Sequence, residues 1–297
     1  AGVLSISGGL TDLFGLPSGV LTKFIVTLFI VSGFVVSSIS GLQKGIRILS
    51  DINVKIFFAL AIFVFLAGPT VDIVKLGLSG IKEYFSTFAS ANLALGERAD
   101  SDWTRDWTVF FFANWLAWAP ITALFLGRIA VGYTVRQFIL FNLVFPSLFS
   151  LIWMSIFAGA TLSLNLSTDG NFAQALNNGG PEAVVYVLFA NLPFAGVVSF
   201  IFLITITLSF VTAMDSNTIS ISDLCRTRKT VRSAGHAPSM KIFWGVLIGT
   251  VSFIMTATNG IDGVRMLSNL GGLPGLVILI LSGALLIKLI IRSPSQS

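Results

Sequence analysis

The segment FFFANWLAWAPITALFLGR, residues 110–128, decides how this sequence is read. It is long and apolar enough to cross a bilayer as one helix, for which about 20 residues suffice at about 1.5 Å per residue. Yet its interior holds an asparagine, two tryptophans three residues apart and a proline. Counted from Trp107, Trp115 and Trp118 lie about 12 and 17 Å along the helix axis, near the bilayer midplane. Interfacial anchoring, the usual reason for tryptophan in a membrane helix, does not apply at that depth. A spacing of three puts both rings on one helix face. Pro120 removes the hydrogen bond to the Leu116 carbonyl and loosens the backbone beside them. Kinked helices at the midplane are where secondary transporters build binding sites, and desolvated indole faces recognise quaternary ammonium groups. The same residues also have a plainer reading, as two bulky packing groups beside a proline kink.

The rest of the chain sets a membrane environment. Of its 297 residues 55% are hydrophobic and 10% charged, whereas soluble domains carry about 25% charged residues; the mean hydropathy is +0.91. The 27 phenylalanines and 28 glycines fit lipid-facing bulk and close helix packing. The sequence predicts an all-α integral membrane protein with about seven transmembrane helices, at 20–40, 54–76, 107–127, 138–162, 187–212, 242–258 and 266–291. The chain does not begin with Met and opens on no basic signal peptide, so it is expected to be part of something longer. Cys225 is the single cysteine and forms no intrachain disulfide.

Basic residues give the orientation. Lys44, Arg47 and Lys55, then Arg128 and Arg136, then Arg226, Arg228, Lys229, Arg232 and Lys241, then Lys288 and Arg292 fall on one side if the spans alternate. That side is expected to be the cytoplasm, with the C-terminus on it. On the other side Lys23, Lys75, Lys82, Arg98, Arg105 and Arg265 are diluted by Glu97, Asp100, Asp102, Asp106, Asp169 and Glu182. The net charge of +5 is therefore a topology signature, and no stacked basic and aromatic surface points to nucleic acid. Within 80–107, Ile81, Tyr84, Phe85 and Phe88 recur at helical spacing, which predicts an amphipathic helix at the outer surface with Trp103 and Trp107 at headgroup level.

Other polar residues read more simply. Asp215 and Ser216 follow the last apolar turn of their span and are expected to cap or tether its cytoplasmic end. His236 has no cysteine or carboxylate at ligand spacing, so no metal site is expected. The chain has no phosphate loop, nucleophile elbow or paired carboxylates, and nothing in it points to an enzyme.

Residues 106–139, DWTVFFFANWLAWAPITALFLGRIAVGYTVRQFI, resemble the signature of the betaine/carnitine/choline transporter family: a tryptophan-rich box, Ala-Pro or Ser-Pro, an Ala/Gly-Arg-Ile loop and a basic TIREFI-like segment. ISGGLTDLFGLP (6–17) and SSISGLQKGIRILSDIN (37–53) are similar to two further stretches of that family. FPSLFSLIWMSIFAGATL (145–162), LSFVTAMDSNT (208–218) and KIFWGVLIG (241–249) resemble its ninth, tenth and eleventh helices, in order.

The resemblance implies a twelve-helix protein of the fold shared by sodium-coupled amine and amino-acid carriers, built from two inverted five-helix repeats. Residues 1–106 would hold the last two helices of the first repeat plus the outer-surface segment, 107–292 the complete second repeat, and 293–297 a cytoplasmic tail. Trp115 falls where the family's box tryptophan stacks on a trimethylammonium group, and Trp118 falls at the next, toward the cytoplasm. Phe112 stands where many members have another tryptophan. Asn114 departs from the family's usual tryptophan, placing an amide in the pathway. In LSFVTAMDSNT, the resemblance gives Na⁺ ligands at Thr212 and at the main-chain oxygen of Ser209, while Ala213 replaces a serine hydroxyl. Back-bonding to the preceding turn is an equal alternative for both hydroxyls.

The expected function is secondary transport, by alternating access, of a small quaternary ammonium or sulfonium solute: glycine betaine, choline, carnitine or dimethylsulfoniopropionate. The other expectation is a membrane protein without transport activity of its own, truncated or acting as a structural partner. Expected partners are the onium solute, the lipid bilayer, the missing N-terminal helices of the same protein and further copies in a homo-oligomer. No cofactor is expected beyond Na⁺ as coupling ion.

Overall fold

The computed structural model describes residues 2–40, 43–93, 103–168, 170–225 and 238–292, and every regular element among them is helical. Helix α1 (Gly2–Phe14) stops at Gly15, whose φ of 64° lies in the left-handed region that side chains resist. Helices α2 (Val20–Ser40) and α3 (Gln43–Ala67) follow. The second span ends at Ala67, short of the expected residue 76. Pro69 has no N–H to continue the ladder, the Gly68 N–H closes onto the Val64 carbonyl at 3.0 Å, and the Thr70 hydroxyl donates to the Phe65 carbonyl at 2.7 Å. Helix α4 (Thr70–Asn92) therefore starts ten residues before the expected amphipathic segment. Tyr84, Phe85 and Phe88 are exposed along it.

A π-helical turn, Thr104–Val109, runs into α5 (Phe110–Ile129). A capping box between Thr134 and Gln137 opens α6 (Val135–Ile139), and a second π-helical turn, Leu140–Val144, joins it to α7 (Phe145–Ser167). Then come α8 (Asn171–Gly179), α9 (Pro181–Ala190) and α10 (Ala195–Leu224). The expected span 187–212 is thus two pieces, separated at residues 191–194 where Phe194 has φ 59°. Asp215 and Ser216 lie inside α10 and do not cap it, and Asp215 is buried. The helix continues past them, with its hydroxyls bonded within it: Ser216 to the Thr212 carbonyl (3.2 Å), Ser220 to Ser216 (2.9 Å) and Ser222 to Thr218 (2.7 Å). Helices α11 (Pro238–Thr258) and α12 (Gly260–Arg292) complete the described chain.

Among the described residues seven helical stretches are long and apolar enough to cross a membrane: Val20–Ser37, Ile48–Ala67, Thr104–Gly127, Val135–Ser167, Ala195–Ser222, Ser239–Thr258 and Arg265–Leu289. Glu97, Arg98, Asp100, Asp102, Asp169, Arg226, Arg228, Lys229, Arg232, His236 and the tail 293–297 lie outside the described residues, as do the side chains of Lys44, Arg47, Arg128 and Arg292.

The chain packs as two units, residues 1–86 with 132–258, and residues 87–131 with 259–297. The first has two apolar cores. One gathers Leu60, Val64, Ile73, Ala160, Leu188 and Phe189, the other Val3, Val26, Ile30, Phe34, Leu203 and Ile206. The Lys23 ammonium donates to the Thr256 carbonyl at 3.2 Å, meeting the C-terminal end of α11 with the charge that its dipole favours. The second unit is built on α5 and α12, with the end of α4 tied on by hydroxyl bonds from Thr104 to the Ala91 carbonyl (3.0 Å) and from Thr108 to Asn92 Oδ1 (2.8 Å).

Candidate functional site

Within its unit, α5 lies against α12 through residues that leave little between the two backbones. A Cβ added at Gly272 would sit 2.7 Å from the Ala113 Cα, and one at Gly271 would sit 2.9 Å from the Ala117 methyl. Gly275 abuts the Leu116 carbonyl oxygen, the acceptor that Pro120 leaves without its helical partner. Small residues at such a seam let helices approach closely in lipid, where dispersion and polar contacts hold them together. Beside the seam, the Ser268 hydroxyl donates to Asn114 Oδ1 at 2.9 Å. At the N-terminal end of α5 the Arg265 guanidinium lies 5.6 Å from the centre of the Phe110 ring and pairs with Asp262 at 3.2 Å.

This seam fixes where the aromatic rings go. At about 100° per residue, Ala113 and Ala117 lie about 40° apart on the helix wheel, and Trp115 falls diametrically opposite them. Phe112 and Trp115 are accordingly exposed, at 60% and 68%, and Trp118 is half-buried. Trp103, Trp107 and Phe111 stack at successive centroid distances of 5.5 and 5.9 Å, and Trp115 follows at the same interval of four residues. The four box residues are thus all on α5, three as rings away from the seam and Asn114 at its flank.

The segment LSFVTAMDSNT lies in the other unit, on α10. The Ser209 hydroxyl donates to the Thr205 carbonyl at 2.9 Å, and the Thr212 hydroxyl donates to the Leu208 and Ser209 carbonyls at 2.8 and 3.1 Å. Both protons are held by the helix itself, which leaves hydroxyl lone pairs as the oxygen donors. Ala213 is exposed and supplies no side-chain oxygen. Both hydroxyls are thus back-bonded to the preceding turn, the Ser209 hydroxyl also accepts from Asn53, and Ala213 adds no side-chain oxygen for a cation.

Two residues were not singled out from the sequence. Ser268 is the partner of Asn114. Asn53, from α3, donates its amide to the Ser209 hydroxyl at 2.6 Å, and its Oδ1 is buried with no hydrogen-bond partner among the described residues. The signal for the first was the glycine spacing at 271, 272 and 275, which marks a close-packed helix face. Asn53 closes the stretch 37–53, and its polar side chain in an apolar span was the only sign.

Comparison with known proteins agrees with the sequence resemblance. The family described as "BCCT, betaine/carnitine/choline family transporter" matches residues 1–294. The chain is 34% identical over 280 residues to the osmo-dependent choline transporter BetT2 of Acinetobacter baylyi, covering 92% of this chain and 40% of the relative. It is 29% identical over 297 residues to an ectoine/hydroxyectoine transporter of Virgibacillus pantothenticus, covering 100% of this chain and 58% of the relative. To the glycine betaine transporter OpuD of Bacillus subtilis it is 28% identical, covering 94% and 54%. The chain therefore spans roughly half the length of the curated relatives it matches. With the match running from the first residue into the end of α12, the chain belongs to the betaine/carnitine/choline transporter family.

Proposed function

We propose that the protein to which this chain belongs is a secondary transporter of small onium solutes, working by alternating access in the inner (plasma) membrane with the C-terminal end of α12 at the cytoplasm. The observation that carries this reading is Trp115: an indole at mid-membrane depth, turned away from the α12 seam, with the Phe112 ring on the same open face and Trp118 one turn further on. An indole face attracts a cation, and the attraction grows as water is removed, which suits a trimethylammonium group that has no N–H to donate. The relatives named as choline and glycine betaine transporters support the substrate class. Glycine betaine and choline are the first solutes to test, carnitine and dimethylsulfoniopropionate the next. The remaining walls of the cage are supplied by helices outside this chain. Nothing in the proposal requires catalysis.

Replacing Trp115 by alanine in the intact protein removes a cation–π contact worth about 0.5–2 kcal/mol, so the apparent affinity for choline or glycine betaine falls about two- to thirtyfold. Trp115→Phe retains part of it. Uptake of radiolabelled solute into proteoliposomes measures both, and kinetics unchanged in Trp115→Ala would overturn the reading.

A further inference from the structure

We propose that Asn114 is a positioning residue: its carboxamide oxygen, held by the Ser268 hydroxyl, sets the roll of α5 on α12 and thereby aims the Trp115 ring. The inference rests on the reading of Trp115 as the onium-binding ring and adds what holds that ring in place.

The seam formed by Ala113, Ala117, Gly271, Gly272 and Gly275 brings the two helices close but is nearly featureless. Methyl groups and glycine backbone offer dispersion contacts, which change little when one helix rolls or slides on the other. A hydrogen bond is directional and is lost within a few tenths of an ångström and some tens of degrees. Asn114 stands about 100° round the helix from both Ala113 and Trp115, so it sits where a roll of α5 moves it most directly onto or off Ser268. Ser268 is buried and donates at 2.9 Å. In an apolar setting, separating the pair would leave the Asn114 oxygen without water to replace its partner, which penalises every other roll.

Pro120 explains why such a lock is needed at this position. It removes the intrahelical bond to the Leu116 carbonyl, so the backbone just after Trp115 has one restraint from its own helix fewer. The freed carbonyl packs against Gly275, where the available interaction is a weak Cα–H···O contact. The directional restraint next to the ring is therefore the one at the residue immediately before it. A tryptophan at this position would offer a donor but no acceptor for Ser268. Asn114 acts as a bolt between α5 and α12.

The test is a double-mutant cycle in the intact protein reconstituted in liposomes, read as choline and glycine betaine uptake. Ser268→Ala is expected to raise KM about three- to tenfold with the maximal rate little changed, because a mis-aimed ring loses part of a cation–π contact. Ser268→Thr, which keeps the hydroxyl, is expected to restore KM to within about twofold. In the Trp115→Ala background, Ser268→Ala is expected to have no further effect, since there is no ring left to aim. If Ser268→Ala fails to reach the membrane, Asn114→Ser, which keeps a polar group without the reach, enters the same cycle. An unchanged KM in these single variants, or an undiminished effect on top of Trp115→Ala, overturns the proposal. Wild-type affinity in Trp115→Ala alone brings down the onium reading instead, so the two failures are distinct.

Discussion

Helices α10 and α5 both carry small and polar residues into an apolar setting, and they dispose of them in opposite ways. Along α10, Thr205, Thr207, Ser209, Thr212, Ser216, Ser220 and Ser222 each return their hydroxyl proton to a carbonyl one turn back on the same helix. Each of these protons is held locally, although Ser209 also accepts from Asn53. On α5 the polar group reaches outward, from Asn114 to Ser268, and the small residues serve contact with α12. Self-satisfied hydroxyls leave lone pairs available to a ligand, whereas an interhelical pair with a glycine seam fixes geometry. The comparison separates residues that can bind something from residues that hold something still.

The strongest way to break this comparison is to spoil the seam. Gly275→Leu drives a side chain into the Leu116 carbonyl, a backbone atom that cannot move aside as a flexible side chain would. Overpacking typically costs about 1–3 kcal/mol, and a backbone collision belongs at or beyond the upper end. The expected outcome is loss of the monodisperse peak in fluorescence-detected size exclusion. A variant as stable as the parent would mean that α5 and α12 do not meet at Gly275.

A smaller effect is expected on the α10 side. Asn53→Leu removes the bond to Ser209 and, with it, the unpartnered Oδ1, while keeping the branched side-chain shape. Interhelical hydrogen bonds in membranes average about 0.6 kcal/mol, and removing both a donor and an orphaned acceptor offsets much of that loss. The midpoint of thermal unfolding in detergent should therefore move by no more than a few degrees. A collapse comparable to that of Gly275→Leu would show that α10 depends on its neighbours as much as α5 does.

What was legible in the sequence follows the same division. Hydropathy and the order of motifs gave the spans and the box, because both are properties of a single helix. The breaks at Gly68–Pro69 and at 191–194 were missed, since a hydropathy window averages over one proline in an apolar run. Asp215 follows the last apolar turn of its span and so reads as a helix end, whereas the back-bonding serines around it belong to a helix that runs on to Leu224. For Asn114, a linear sequence shows that the residue is polar without showing that its side chain reaches Ser268. The glycines at 271, 272 and 275 held that information, but only once α12 was set beside α5.

The smallest expected effect is the addition of one oxygen to α10. Ala213 is exposed and neighbours Thr212, whose hydroxyl proton is committed to the Leu208 and Ser209 carbonyls. If a sodium ion couples transport here, it meets a donor set lacking the hydroxyl that serine would supply, and half-maximal uptake requires a high sodium concentration. Ala213→Ser is then expected to lower that concentration, by about two- to tenfold for one added ligand at the strength of a hydrogen bond to a charged group, partly offset by its desolvation. Because a back-bonded serine costs a helix little, stability without sodium should not change. Two measurements separate the outcomes: choline uptake titrated with sodium against potassium, and the rise in unfolding temperature with sodium, which reports binding without transport. Sodium that neither drives uptake nor stabilises the protein, before or after the substitution, would place coupling elsewhere. Tight sodium dependence unchanged by Ala213→Ser would show that Ser209, Thr212 and residues outside this chain already complete the site. A left-shifted titration in both measurements would identify the α10 hydroxyls as ligands, and the division between residues that bind and residues that hold would then rest on experiment.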